Sequence, residues 1–329
     1  MTKTIYIRHK FSDLQKYYPT TFFQTLFENI SIEYGNRYEF RIENDDSYED
    51  RGQGSIYSCL NFSIINPDSK KYILISFFDN WRYHFMKHMG WNPELMTQFF
   101  YPGGFNYLEY FYFKNLEKSN QDINCPKNIS NIYYSFFYPT HNQSDEIYIK
   151  ELYEARNIKY SIPELYFHGC LWDFRQSMID NITDTSISVS DKSSKNLDYH
   201  NYLNYISHYR CCLSLPGGTE VCNRDIECFS VGVPVIRPTL SVQYPDPLIP
   251  NYHYISCYDS CKYWDGHPSY LSYNDFQESL QDCWHRVKDN TEYLEFVAKN
   301  AREWYLKNCT LTQNIKYVMS KIDLEALNG

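Results

Sequence analysis

The sequence predicts an α/β protein of two domains, residues 1–160 and 161–329, each a sheet covered by helices. Three observations lead there. Short β-rich runs alternate with helical stretches along the whole chain, the rhythm of parallel crossover units. That rhythm restarts near Pro163 after a polar segment at 157–161. The length, 329 residues, suits two domains better than one.

In the first half, residues 4–8 make an opening strand and 14–34 a helix, with Phe22, Phe23, Leu26, Phe27 and Ile30 on one side. Gly35-Asn36 stops that helix, and 38–42 make a second strand. Residues 44–54 are a polar turn, and 55–65 mix apolar and polar side chains without a clear period. Residues 71–77 (Lys-Tyr-Ile-Leu-Ile-Ser-Phe) are the clearest buried strand. An aromatic-rich stretch at 91–113, a strand at 132–138 and a helix at 144–156 close this half.

In the second half, 163–169 read as a strand ending in a glycine turn, and 172–181 and 201–209 as helices. Strands follow at 211–215, 233–236 and 252–257, with a helix at 223–231 that Gly232 ends. Terminal helices at 274–287 and 292–308 complete the chain, and the last is expected to pack back on the first domain.

Composition narrows the partners. Forty acidic against 31 basic residues give a net charge of -9 with no basic stripe, which disfavours nucleic acid. The aromatic fraction is 19%, with 34 Tyr, so rings fill much of the interior. No stretch is apolar and long enough to cross a bilayer, and Met1 to Arg8 lack the apolar core of a secretory signal. The expectation is a cytoplasmic protein whose eleven cysteines, an odd number, are reduced. His253, Cys257, Cys261 and His267 offer a zinc set in principle, but without a second matching cysteine pair no metal is expected.

The informative stretch runs from Leu213 to Pro238. It reads as strand, glycine turn, helix start and second strand. Gly217 and Gly218 allow a tight turn, and Thr219 leads toward the helix that opens at Asn223. Free N–H groups and the positive dipole end of that helix favour a diphosphate. Arg224 can reach the phosphates, and Glu227, one turn on, can accept hydrogen bonds from ribose hydroxyls. The plain alternative is an ordinary crossover with a solvated Arg224–Glu227 pair. No Gly-Lys-Ser/Thr follows the turn, so it is not a Walker loop, and Gly-x-Gly-x-x-Gly is absent as well.

These residues carry a resemblance. Arg224, Glu227, Gly232 and Pro234-Val235-Ile236 resemble the donor-binding signature of glycosyltransferases with the two-domain GT-B architecture, the exostosin-like and capsule-associated families in particular. Tyr166-Phe167-His168-Gly169, followed by Arg175, is similar to the strand and phosphate-side arginine that open the donor domain there. The similarity covers about a quarter of the chain. It implies two Rossmann-like domains facing a central cleft, with the donor, a UDP- or GDP-sugar, held by the C-terminal one. It further implies that Glu227 orients the ribose, that Arg224 and Arg175 neutralise the leaving diphosphate, and that His168 touches sugar or phosphate. No Asp-x-Asp accompanies the turn, so transfer is expected to be metal-independent and to use no cofactor beyond the sugar nucleotide.

On the acceptor side, a carbohydrate or other hydroxyl must lose a proton. Asp79, just past the 71–77 strand, is the candidate base, with His84 and Asp13 behind it. Asp79 equally suits the N-cap of a helix near Trp81. His9, Trp81 and Tyr101 are candidates to line the acceptor cleft. A non-catalytic nucleotide- or glycan-binding protein is the alternative reading.

Overall fold

The computed structural model describes residues 3–9, 20–44, 61–66, 71–76, 106–112, 129–131, 143–169, 171, 173–180, 182–191, 197–216, 222–240, 244, 246–258 and 273–324. The architecture is α/β. By internal contacts the chain divides into two compact units, 1–141 with 311–329, and 142–310.

The first unit holds a six-stranded sheet in the order β2-β1-β3-β4-β5-β6. Its strands are β1 (Lys3–His9), β2 (Tyr38–Asn44), β3 (Asn61–Asn66), β4 (Lys71–Ser76), β5 (Asn106–Tyr112) and β6 (Ile129–Asn131). β1 and β2 are parallel, from Lys3 opposite Tyr38 to His9 opposite Asn44, with helix α1 (Thr20–Tyr34) between them in sequence. β4, β5 and β6 are also parallel to one another. The sheet is nevertheless mixed, because β3 runs antiparallel to both β1 and β4. The parallel crossover rhythm expected from sequence holds for β1–β2 and β4–β5–β6 but not for β3. Only residues 67–70 separate β3 from β4, and a parallel pair needs a crossover of roughly a dozen residues or more, so these strands can pair only as a hairpin.

Leu26, Phe27, Ile30 and Tyr34 form the buried stripe of α1. A terminal helix, α8 (Leu311–Lys321), groups with this unit and packs against α1. The Tyr34 and Tyr38 hydroxyls donate to the carbonyls of Ile322 and Leu324 at 3.3 and 3.4 Å, which fixes the end of α8. The sequence reading ended helical structure at 308. A turn at Cys309-Thr310 separates α8 from the preceding helix, and Asn314, Ile315 and Val318 supply its buried face.

The second unit holds a five-stranded, wholly parallel sheet in the order β11-β10-β9-β7-β8. The strands are β7 (Ile162–Gly169), β8 (Ile187–Asp191), β9 (Tyr209–Leu213), β10 (Val235–Pro238) and β11 (Ile255–Tyr258). Helices α2 (Gln143–Ala155), α4 (Tyr199–Ser207) and α7 (Thr291–Asn308) pack against α5 (Asn223–Ser230), α2 also packs against α4, and α3 (Asp173–Ile179) packs with α6 (Tyr273–Val287). Leu165, Phe167, Cys211, Leu213, Ile236 and Ile255 of the sheet form one core with Met178 of α3 and Phe276, Leu280 and Trp284 of α6. The described cysteines are buried thiols.

Two features depart from the sequence reading. Helix α2, expected to close the first half, groups with the second unit. Asp145 in its first turn meets His200 Nε2 at 2.6 Å, and the Tyr148 hydroxyl donates to the His200 carbonyl at 3.2 Å. Strand β8 was not anticipated, because it lies in a polar stretch among Asp184, Asp191 and Asp198, although Ile187-Ser-Val-Ser alternates apolar and polar as an edge strand does, with Val189 exposed. No described helix is long and apolar enough to cross a membrane.

Candidate functional site

Numbered within the second unit, the strand order is 2-1-3-4-5, so the chain leaves its first strand, β7, in one direction and later returns on the other side. Between β7 and β9 the order reverses. The crevice outside the carboxyl ends of such neighbours is where open parallel sheets take ligands. Here those ends are His168-Gly169 and Leu213 to Pro216.

Helix α5 enters this place from Cys222. Nearly all of it is buried, from Arg224 to Ser230. Its far end is a Schellman cap: Gly232 N–H donates to Phe229 O at 3.2 Å, and Val233 N–H to Cys228 O at 2.8 Å. Gly232 has φ +70, and a Cβ there would lie 2.4 Å from the Tyr153 ring. Arg302 donates from Nη1 to the Ser230 carbonyl, placing a cation at the negative end of the helix. Asp225 at the near end forms a buried ion pair with Arg237 of β10, both residues 1% exposed, and also accepts from Cys222 N–H at 3.3 Å. The helix is thus fixed at both ends.

Arg224 sits on this rigid support and is 8% exposed. Its Nη2 donates to the His168 carbonyl, and its guanidinium carbon lies 4.4 Å from the centre of the Phe167 ring. Nε and Nη1 are buried without a hydrogen-bond partner in the structure. Burial works against its charge, but the charge of Glu227 beside it favours the cation, and its pKa stays raised. The group remains a cation. Glu227, one turn on, is 2% exposed. Burial, followed by the Glu227 charge, pushes the Tyr202 hydroxyl well above its ordinary value, so it stays protonated.

Arg175 of α3 occupies a related position with a different set of bonds. Its Nε donates to Pro216 O at 2.6 Å and its Nη2 to Leu215 O at 3.0 Å. Cys222 Sγ donates to the same Leu215 carbonyl at 3.0 Å. Arg175 therefore clamps the chain leaving β9, and its guanidinium also lies 5.9 Å from the Phe167 ring. The resemblance implies a phosphate-side role for the same arginine. The His168 ring meets Ser190 Oγ at 3.2 Å and lies 5.6 Å from the Tyr202 ring.

The structure therefore brings His168, Arg175, Arg224 and Glu227 to one end of one sheet, with Asn223 half-buried at the head of α5. Gly217, Gly218 and Thr219 lie outside the described residues, as do Asp79, His84, Asp13, Trp81 and Tyr101. His9 is the last residue of β1, paired with Asn44. Of the zinc candidates, Cys261 and His267 are outside the described residues, and His253 accepts from Ile249 N–H at 2.9 Å. Among the described residues no group of three or more His, Cys, Asp or Glu is arranged to hold a metal ion.

Sequence reasoning missed Phe167, Tyr202 and the Asp225–Arg237 pair. The last had a signal. An arginine inside the four-residue strand Val-Ile-Arg-Pro has to find acceptors, a carboxylate or carbonyls, when the strand is buried.

No protein-family model and no curated protein matches the chain. Among solved structures, Anabaena HepE, crystallised with UDP and glucose, is similar with a TM-score of 0.40 and 9% identity over 64% of this chain. The matched region spans 62% of that protein's length.

Proposed function

We propose that the chain is a nucleotide-sugar-dependent glycosyltransferase, with its donor, a UDP- or GDP-sugar, bound at the β7–β9 switch point of the second unit. One observation carries this reading: the Arg224 guanidinium is nine-tenths buried at that point with Nε and Nη1 unpartnered. Orphaned buried donors on a cation cost about 1–3 kcal/mol each or more. A diphosphate supplies the acceptors and the opposite charge. Glu227, one turn along, is placed to accept from ribose hydroxyls. Asn223, with Gly217, Gly218 and Thr219 in the turn before it, would present backbone N–H groups to the phosphates. Arg175 would act by holding that turn in place.

In transfer, negative charge grows on the diphosphate as the bond to the sugar breaks. A preorganised guanidinium and the start of α5 stabilise that charge without a divalent ion. The acceptor proton must pass to a base, for which Asp79, with His84 and Asp13, remains the proposal. His9, Trp81 and Tyr101 are proposed to line the acceptor side. Calorimetric titration with a panel of UDP- and GDP-sugars tests the donor site. We expect one nucleotide class to bind, Arg224→Ala to lose about 2–4 kcal/mol, and Glu227→Gln about 1–3 kcal/mol. Wild-type affinity in both variants would move the donor site elsewhere.

A further inference from the structure

The end of β7 raises a question that the donor site alone does not answer: why residue 169 is a glycine. Among the described glycines only Gly232 has a positive φ, so the backbone does not require one at 169. Space does. A Cβ on Gly169 would lie 2.4 Å from Arg224 Nη2 and 3.2 Å from Phe167 Cζ. Arg224 therefore occupies the volume a side chain would fill, held there by the His168 carbonyl and the Phe167 ring face. An interior that needed only filling would be served at lower desolvation cost by an apolar residue at 224.

We infer that Gly169 and Phe167 are positioning residues whose role is to hold the Arg224 guanidinium in one orientation toward a diphosphate. The inference rests on the donor-site reading above and adds how that site is preorganised. Gly169 leaves room for Nη2 to reach His168 O, and Phe167 supports the guanidinium face by cation–π attraction, strongest where water is excluded. With Nη2 fixed, Nε and Nη1 keep a constant direction, so little side-chain freedom remains to be lost on binding.

The contact with Gly169 is made by the far end of a flexible side chain. Gly169→Ala should therefore displace the guanidinium while the strand persists. The test is calorimetric titration of uridine diphosphate and guanosine diphosphate into the full chain and its variants, with unfolding temperature recorded for each. Gly169→Ala is expected to weaken the bound nucleotide about tenfold in the wild-type background and less than about twofold in the Arg224→Ala background. Arg224→Lys, with a shorter point charge, should recover part of the affinity in Gly169→Ala, a rescue that a purely structural glycine would not show. Phe167→Leu, measured through the same cycle with Arg224→Ala, gives an independent reading if Gly169→Ala does not fold. Equal losses in both backgrounds, or wild-type affinity in a folded Gly169→Ala, would overturn the positioning role and leave the donor site standing. Failure of both nucleotides to bind wild type would remove the donor reading, and the positioning role with it.

Discussion

Two buried arginines in the second unit should respond differently to the same change. Replacing Arg237 with Met leaves Asp225, 1% exposed, as a buried carboxylate without its cation, and breaking such a pair costs about 3–5 kcal/mol. At Arg224 the terms oppose one another. Arg224→Met would forfeit a charged hydrogen bond to His168 O, about 1.5–3 kcal/mol, and the contact with the Phe167 ring, about 2 kcal/mol. It would also relieve Nε and Nη1, each about 1–3 kcal/mol, while keeping an apolar stem of similar length. It would further take a cation from beside the buried Glu227, but with no direct ion pair to break the net loss should be smaller than for Arg237→Met. Nucleotide binding should nevertheless fall by roughly 2–4 kcal/mol. Urea unfolding followed by circular dichroism, alongside calorimetry with the bound nucleotide, measures both quantities. If Arg224→Met destabilises as much as Arg237→Met and leaves nucleotide affinity intact, Arg224 is a structural support and the donor assignment is wrong.

Further outcomes are expected elsewhere. Transfer activity should survive excess chelator, because cations and a helix start do the electrostatic work; complete loss restored by magnesium or manganese would contradict the metal-independent reading. Gly232→Ala should cost about 1 kcal/mol for the left-handed backbone and about 1–3 kcal/mol for the clash with Tyr153, with Tyr153→Leu restoring the second part; an additive double variant would refute the clash. Burial tends to raise the Asp184 carboxyl, but bonds from Ser186 and His285 outweigh it and hold its pKa below the ordinary 3.8. Asp184 therefore contributes stability above that value and loses it as pH falls through the lower folded value, so the difference between wild type and Asp184→Asn should shrink below about pH 3.8. A difference constant down to strongly acid pH would show that these bonds do not favour the carboxylate.

Apart from β8, the second unit was the more legible half because its strands are short, apolar and separated by crossover helices with clear ends. Gly232 announced the end of α5, and Pro234-Val-Ile the strand beyond it. In the first unit the same rule misled. Residues 55–65 showed no clean period, so β3 was lost and the hairpin with β4 went unseen, although Asn66-Pro67-Asp68 is turn chemistry. The boundary near 160 followed polarity, whereas the real association of α2 with α4 and α5 depends on Asp145, Tyr148 and Tyr153, which look like surface residues in a one-dimensional reading.

Spacing placed Arg224 and Glu227 one turn apart on the right helix but left their burial unread. A carboxylate and a guanidinium at i and i+3 are, by default, a solvated pair of small consequence. Here α2, α4 and α7 pack around α5, and that packing converts the pair into buried groups whose bonds must all be found. Arg156, Arg210 and Arg302 each donate to backbone carbonyls and leave only Nε orphaned. Arg237 has a carboxylate, and Arg175 has the carbonyls of the β9 loop. Arg224 alone among these leaves Nε and Nη1 both without a partner, and it does so at the strand-order reversal. Buried arginines are common in this unit, so burial by itself does not single out a site. The combination of incomplete bonding, a rigid helix beneath and a glycine emptied to make room is what distinguishes Arg224.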